Sequence, residues 1–156
     1  MHIQTERLNI IAFTQENYIK VSETYSIRNH IINYLDKLKG DPELSGWGAW
    51  FVTLTDNHQI IGDIGFKGKP DHQGIVEVGF GLIPEMHNKG IATESVGAII
   101  EWALSSKKVQ KIVAECLIDN ISSIRVLEKL NFTRTGIENG MINWELVNDQ
   151  SRGESA

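Results

Sequence analysis

The stretch from Val76 to Glu94, VEVGFGLIPEMHNKGIATE, constrains the fold of this chain more than any other part of it. Its first half alternates apolar residues with one glutamate and two glycines, which is the period of a β-strand. Pro84 ends that pattern because proline lacks the N–H group that a strand ladder needs. From about Gly90 the apolar residues recur on one helical face. The stretch therefore predicts a strand, a turn that contains glycine, and the start of a helix.

This predicted junction has a chemical consequence. The first N–H groups of a helix have no acceptor within the helix, and the helix dipole adds partial positive charge at the same end. Backbone N–H groups that point out of a turn at the start of a helix bind phosphate groups well. We therefore expect a phosphate-binding site close to Gly90.

The same turn carries a motif. His87-x-x-Gly90-x-Ala92 resembles the pyrophosphate loop of the GNAT N-acetyltransferases, Q/R-x-x-G-x-G/A, with histidine in place of Gln or Arg. The strings IPE and KGIATE, together with the opening TERL, are similar to the branch that includes ribosomal-protein N-terminal acetyltransferases and spermidine acetyltransferases. The resemblance covers nearly the whole chain.

Strand and helix patterns alternate through the rest of the sequence. Strands are predicted at 7–13, 47–55, 59–66, 76–82, 109–118, 132–137 and 141–147, and helices at 17–25, 31–38, 90–106 and 120–130. Asn139-Gly140 is the strongest signal for a two-residue hairpin. We expect one domain over residues 1–147, and a disordered tail at 148–156 because that segment is polar and patternless.

These elements predict an α/β (α+β) fold. The strand–helix–strand unit over residues 76–118 implies a parallel pair with a right-handed crossover, and the hairpins are antiparallel. The expected sheet is mixed, mostly antiparallel and twisted, with about seven strands and helices on both faces. The GNAT resemblance further implies that the central parallel pair splays apart and that acetyl-CoA lies between its strands.

Composition limits the partners. The 156 residues carry a net charge of −5, which argues against nucleic acid as the main partner and is compatible with a cationic amine. We expect no membrane segment, since no apolar run approaches the roughly 20 residues that a span needs. No signal peptide is recognised, and a single cysteine fits a cytoplasmic protein. The five histidines have no metal-binding spacing, so no metal is expected, and monomer and homodimer both stay open.

Two glycines in the central strand, Gly79 and Gly81, share a face with Glu77. Their missing side chains leave either a channel for a ligand or room for a packed helix. The GNAT resemblance implies the channel, with the pantetheine arm of acetyl-CoA in it. The residues that the resemblance assigns to cofactor binding are Phe80, Gly81, Leu82, His87, Asn88, Lys89, Gly90, Ile91, Ala92, Thr93, Asn120 and Ser123.

Two glutamates are candidates for the general base. An amine that is protonated near pH 10 cannot attack a thioester, so a base has to remove its proton. Glu115 lies five residues before Asn120, and the ribosomal-protein N-terminal acetyltransferases that this chain resembles carry their proton acceptor at that position. Glu77 lies on the central strand, which is the other strand that often supplies the base in the GNAT family. An ion pair or an edge carboxylate is the structural alternative for each residue.

The general acid is less well defined. In the block VLEKLNF, Leu127 stands where the family often has the tyrosine that protonates the leaving thiolate. Ser123 is the remaining candidate, as a weak proton donor or as a cofactor contact. Cys116 is interpreted as a small buried hydrophobe, because it alternates with Glu115 along its strand.

The acceptor is not identified by any motif. The GNAT resemblance implies that the first two helices form a cap over the acceptor. Four residues fall in or near that cap, namely His30, Tyr34, Trp47 and Trp50, although core packing is expected for at least one tryptophan. The leading hypothesis is acetyl transfer from acetyl-CoA to a primary amine by direct attack. The alternatives are a non-catalytic acetyl-CoA-binding module, which Leu127 favours, and a nucleotide-phosphate site, which lacks the G-x-x-x-x-G-K-S/T string.

Overall fold

Eight strands form one sheet in the computed structural model, which describes residues 1–148. The strands are β1 His2–Gln4, β2 Leu8–Ala12, β3 Ala49–Leu54, β4 Ile60–Phe66, β5 Ile75–Leu82, β6 Lys111–Leu117, β7 Thr133–Glu138 and β8 Met141–Val147. The helices are α1 Asn17–Ser22, α2 Asn29–Gly40, α3 Ile91–Ser105 and α4 Ile121–Lys129, with short 3-10 turns at Pro42–Leu44 and Pro84–Met86.

The sheet has the order β1-β2-β3-β4-β5-β6-β8-β7. Every neighbouring pair is antiparallel except β5 and β6, which are parallel and joined by α3. These two strands pair only where Ile75–Glu77 faces Lys111–Val113. Their remaining residues have no partners across the gap, so β5 and β6 diverge and form a V. The mixed sheet with a splayed parallel pair at its centre is confirmed.

The register of β4 and β5 decides what lies on each face. Asp63 lies opposite Gly81, and Tyr25 and His30 hydrogen-bond to Asp63, so the chain around α1 and α2 covers this face. Trp50 lies on the other face, where it packs edge-on against Trp102 of α3, with 5.4 Å between ring centroids. Helices therefore cover both faces, as the sequence predicted.

Aromatic side chains fill the core under α3. Trp102 contacts Trp47 at 4.6 Å and Phe66 at 6.2 Å between ring centroids. Trp47 and Trp50 are almost fully buried, which confirms core packing for both tryptophans. Such large apolar side chains each contribute several kcal/mol when they leave water, at roughly 25 cal/mol per Å² of buried surface. This packing attaches α3 to β3 and β4 beneath the site described below.

Besides shifts of one or two residues at the ends of elements, three features separate the structure from the sequence prediction. The short strand β1 was not predicted, because three residues are too few to establish a period. The first helix ends at Ser22, three residues early, where the chain turns toward the sheet. Asn148 donates hydrogen bonds to Val109 and Gln110, and the rest of the predicted tail, 149–156, lies outside the described residues.

The predicted hairpin at Asn139-Gly140 is confirmed. Both residues have positive φ, 54° and 77°, which is the requirement of a two-residue turn that matches the strand twist. Within residues 1–148, no helix combines the length and the apolar character needed to cross a bilayer.

Candidate functional site

Two clefts meet at the middle of the molecule and share Phe80 and Gly81 of β5. We call the first the loop cleft: it has a volume of about 410 Å³ and lies between the end of β5, the loop at 83–90 and the starts of α3 and α4. We call the second the α2 cleft: it has a volume of about 540 Å³ and lies between α2 and the β4–β5 pair. The two clefts therefore have these two residues as a common part of their walls.

The loop cleft is built around the start of α3. Gly90 is the N-cap of that helix with φ 76°, a left-handed conformation in which other residues are strained. No side chain caps the helix, so its first N–H groups are available to an anion. Asn88 also has positive φ, 63°, which makes the turn tight. The tight turn and the uncapped helix start expected from the sequence are both present, and phosphate binding at this point stays a prediction.

The wall of the loop cleft on the α4 side carries polar and cationic groups. The side chain of Asn120 accepts a hydrogen bond of 3.1 Å from the N–H of Ser123, so Asn120 is the N-cap of α4. Arg125 and Lys129 lie one turn apart on the same wall. The sequence interpretation missed these two cations, although their spacing after the Asn120 cap places them on one face of the helix.

Gly79 and Gly81 leave open space along β5. A Cβ atom at Gly79 would have Lys67 Cε as its nearest neighbour, at 3.9 Å, and one at Gly81 would have Arg28 Nη2, at 3.6 Å. Both neighbours are the ends of flexible side chains, and no packed helix fills the space. The structure favours the interpretation of these glycines as a ligand channel over the packing alternative.

A buried carboxylate organises the α2 cleft. Asp63 is only 4% exposed, and its Oδ2 accepts hydrogen bonds from the Tyr25 hydroxyl at 2.6 Å and from Arg28 Nη2 at 2.8 Å. Its Oδ1 lies 2.8 Å from His30 Nε2. Three donors from the α1–α2 connection and the start of α2 therefore converge on one group of the sheet. This arrangement satisfies a charge that would be costly to bury alone.

The partners of Asp63 also fix its protonation. Burial alone would raise the pKa of the carboxyl, but the hydrogen bonds from Tyr25, Arg28 and His30 outweigh burial and hold the pKa below its usual value. Burial, reinforced by the nearby Asp63 charge, raises the pKa of the Tyr25 hydroxyl. Asp63 is therefore the ionised acceptor and Tyr25 the neutral donor. Only His30 of this cluster was named from the sequence.

The local charge of the α2 cleft differs from that of the whole chain. Its wall includes three cationic side chains, Arg28, Lys37 and Lys67, and one carboxylate, Asp63. Lys67 also forms an ion pair of 2.8 Å with Glu77, just outside the lining. The net charge of −5 thus describes the outer surface rather than this cleft.

The two glutamates predicted as bases lie on the face of the sheet that carries Asp63, because Glu77 faces Val113 and Glu115 follows two residues later. Glu77 is paired with Lys67. Glu115 is exposed. Neither carboxylate lines either cleft, and their assignment as the base stays a prediction.

Most of the predicted cofactor residues come together. Of that set, all but Lys89 and Ile91 line the loop cleft, and Ser123, the predicted acid, is among them. Ile91 is 4% exposed and packs into the core, and the carbonyl of Lys89 accepts a hydrogen bond from Arg7. Leu127, at the position of the family's tyrosine, is fully buried. Cys116 is also buried, as predicted, next to Trp144 Nε1.

An arginine outside the cleft braces the loop. Arg7 donates from Nε to Glu94 Oε1 at 2.7 Å and from Nη1 to the Lys89 carbonyl at 3.0 Å. The Thr5 hydroxyl also donates to Glu94. These contacts join the connection between β1 and β2 to the loop and to the first turn of α3. The sequence interpretation used TERL and KGIATE only as evidence of family resemblance, and it did not predict that Arg7 in the first string contacts Glu94 in the second.

Comparisons with known sequences agree with this geometry. Residues 8–133 match a family model described as an acetyltransferase (GNAT) domain. Bacillus subtilis YnaD, an uncharacterised N-acetyltransferase, is 31% identical over 150 residues, which are 87% of this chain and 85% of YnaD. Bacillus subtilis YjdG, also an uncharacterised N-acetyltransferase, is 40% identical over 87 residues, which are 56% of this chain but only 52% of YjdG.

Solved structures show the same fold. The ribosomal-protein-S5-alanine acetyltransferase of Vibrio fischeri superposes with a TM-score of 0.76 at 19% identity and covers 96% of this chain and 97% of its own. A structure of RimL, a ribosomal L7/L12 alpha-N-protein acetyltransferase in complex with coenzyme A, also gives a TM-score of 0.76, at 13% identity over 96% of this chain and 100% of its own.

Proposed function

The chain belongs to the GNAT acetyltransferase family, and from this premise we propose that it transfers an acetyl group from acetyl-CoA to a primary amine by direct attack in a ternary complex. The observation that carries the proposal is the junction of the two clefts at Phe80 and Gly81. One cleft offers a place for an anionic cosubstrate, and the other offers a separate place for the acceptor. Direct transfer needs both reactants to be held side by side.

The residues of the loop cleft suit acetyl-CoA. The uncapped N-terminus of α3 presents N–H groups and partial positive charge to a diphosphate. Arg125 and Lys129 add two cations on the opposite wall. The open backbone at Gly79 and Gly81 leaves room for a narrow, flexible tail on the way to the α2 cleft. Acetyl-CoA has both a diphosphate and a narrow, flexible tail, and the tail carries the activated acyl group.

The reaction needs proton transfers that residues of this chain must support. The acceptor ammonium loses one proton before its nitrogen attacks, and the nitrogen loses a second as the amide forms. The released sulfur gains a proton. By family resemblance, Glu115 or Glu77 is the candidate base, acting through water, and Ser123 is the candidate acid. Leu127 offers no hydroxyl for that step.

Two candidate acceptors follow from the comparisons and from composition. Neighbours in fold are named for acting on ribosomal proteins, so peptides with free N-termini are the first class to test. Polyamines and small primary amines form the second class. The excess of cations that line the α2 cleft argues for acceptors of low positive charge.

A thiol-release assay tests the proposal. Acetyl-CoA is incubated with the protein and a panel of N-terminal peptides, polyamines and small amines. We expect release of coenzyme A with at least one acceptor, and the acetylated amine by mass spectrometry. Glu115→Gln and Glu77→Gln report on the two predicted bases. Acetyl-CoA binding without release for any amine would contradict the enzyme and support the alternative, a non-catalytic acetyl-CoA-binding module.

A further inference from the structure

The imidazole of His30 is held at one nitrogen and free at the other. Nε2 lies 2.8 Å from Asp63 Oδ1, while no hydrogen bond to Nδ1 occurs among residues 1–148. The side chain is 53% exposed and lines the α2 cleft, so Nδ1 is accessible to a ligand there. We propose that His30, oriented by Asp63, is the general base that takes the proton from the acceptor amine. The proposal rests on the acetyl transfer proposed above.

The contact with Asp63 sets the tautomer of the ring. An ionised carboxylate only accepts hydrogen bonds, so the nitrogen facing it must carry the proton. In a neutral imidazole the other nitrogen then has a free lone pair. Nδ1 of His30 is therefore the proton acceptor, and Asp63 stabilises the imidazolium that forms. The same division of roles between an aspartate and a histidine operates in hydrolytic triads.

His30 is also in the right place along the sheet. Its partner Asp63 lies directly opposite Gly81, which is one of the two residues that the clefts share. Glu77 is four residues from Gly81 on the same strand, a separation of ~13 Å at about 3.3 Å per residue. The imidazole lines the cleft that includes this shared residue, and Glu77 does not.

The charged groups around His30 favour the neutral, deprotonated form of the acceptor amine. Arg28 and Tyr25 share the Asp63 carboxylate with His30. Lys37 of α2 and Lys67 line the same cleft, and Lys67 is paired with Glu77 of β5. Cations close to an ammonium group lower its pKa, so this cleft assists deprotonation of the amine. Asp63 is the carboxylate in direct contact with the ring.

The proton balance of the step is complete. One proton moves from the acceptor ammonium to Nδ1 of His30, and the neutral nitrogen forms a bond to the thioester carbonyl carbon. The carbon–sulfur bond then breaks, and the electron pair leaves with sulfur. The second nitrogen proton is lost as the amide forms and balances the proton gained by the thiolate. His30 returns its proton to water before the next turnover.

A His30→Gln variant tests the proposal, with His72→Gln as the matched control. His72 is exposed and lines neither cleft. We expect kcat/KM at pH 7 to fall about 100-fold for an amine that is protonated at that pH, in the range of general-base effects. For an amine that is already neutral at pH 7 the fall should be several-fold smaller. Affinity for acetyl-CoA should match the wild type, and circular dichroism should show that the variant is folded.

A second variant makes the test specific. Asp63→Asn should lower kcat/KM at least tenfold because an amide neither stabilises the imidazolium nor fixes the tautomer of the ring. The variant is measured at a temperature where circular dichroism shows it folded. The loss in Asp63→Asn, like the loss in His30→Gln, should be several-fold larger for the amine that is protonated at pH 7 than for the neutral one.

Three results would overturn the base assignment. Wild-type activity in His30→Gln would exclude His30, and an equal loss for protonated and neutral amines would assign it a structural role. A loss confined to Glu115→Gln or Glu77→Gln would make that glutamate the base. If the wild-type protein releases no thiol with any amine, the proposed function itself fails, and the base assignment with it.

Discussion

Asp63 shows how a single residue couples the fold to the site. It lies in the middle of β4, where a lone ionised side chain would be expensive to bury. Its three donors come from the chain around α1 and α2. The same contacts therefore attach that part of the chain to the sheet and hold His30 in the α2 cleft. Stability and the orientation of the imidazole depend on one carboxylate.

We predict that acid weakens this attachment. The pKa of Asp63 is lower in the folded chain than its unfolded value of about 3.9, so its contribution is present above that pH and is lost as pH falls through the folded pKa. Asp63→Asn should reduce the free energy of unfolding at pH 7 by about 1.5–3 kcal/mol, the range for a hydrogen bond to a charged group. Urea unfolding at several pH values measures both quantities.

Asp56→Asn, in the exposed turn between β3 and β4, is the control for this experiment. The difference between wild type and Asp63→Asn should shrink below about pH 4, whereas Asp56→Asn should follow the wild type throughout. A difference that stays constant down to pH 3 would show that the ionised carboxylate does not stabilise the fold.

At the residue level, the sequence predicts what local chemistry determines. Gly90 and Asn120 were assigned correctly as the residues at the starts of α3 and α4, because a left-handed turn and a helix cap are local requirements. The Asp63 cluster was not predicted as a unit. Its members lie up to 38 residues apart in the chain, and only the packing of the α1–α2 connection onto β4 brings them together.

At the scale of elements, the loop before α3 depends on a brace from the N-terminal part of the chain. Arg7 connects to both Glu94 and the Lys89 carbonyl. Burial raises the pKa of Glu94, but hydrogen bonds from Thr5 and Arg7 outweigh burial and keep the carboxyl ionised. A loop that is held in place before binding costs less entropy to order around a ligand.

We predict that Arg7→Gln weakens binding of acetyl-CoA about three- to tenfold without unfolding the protein. The ion pair is partly exposed, so its loss should cost little global stability. Isothermal titration calorimetry gives the affinity, and hydrogen exchange at residues 87–90 should become faster. Lys111→Gln removes the ion pair with Glu145 on β6 and β8 and is the matched control. Unchanged exchange in the loop of Arg7→Gln would refute the role of the brace.

Periodicity predicted the long elements well and the short ones poorly. Strand β5, helix α3 and the β7–β8 hairpin have a clear period or an unambiguous turn, and they agree with the structure. Strand β1 is too short to give a signal. The pairing of Arg7 with Glu94 spans 87 residues and forms only because β2 and α3 come together in the folded sheet.

At the scale of the whole molecule, the V between β5 and β6 is the feature on which the proposed activity depends. The two strands pair at one end only, and the loop cleft occupies the side where β5 runs free. The α2 cleft opens at the same residues from the other direction. If β5 and β6 were paired along their whole length, the space between them would be closed. The divergence of the two strands thus creates the place where the two proposed reactants would meet.

Calorimetric titration of acetyl-CoA at neutral pH is the most direct test of this account. We predict saturable binding to wild type and to Gly136→Val, where the exposed β7 has nothing within 4 Å of the new Cβ atom. Gly81→Val puts a branched side chain into the channel and should weaken binding at least tenfold while the protein stays folded. Absence of binding to the wild type, or equal binding to both variants, would contradict the central claim that the loop cleft and the β5 channel hold acetyl-CoA.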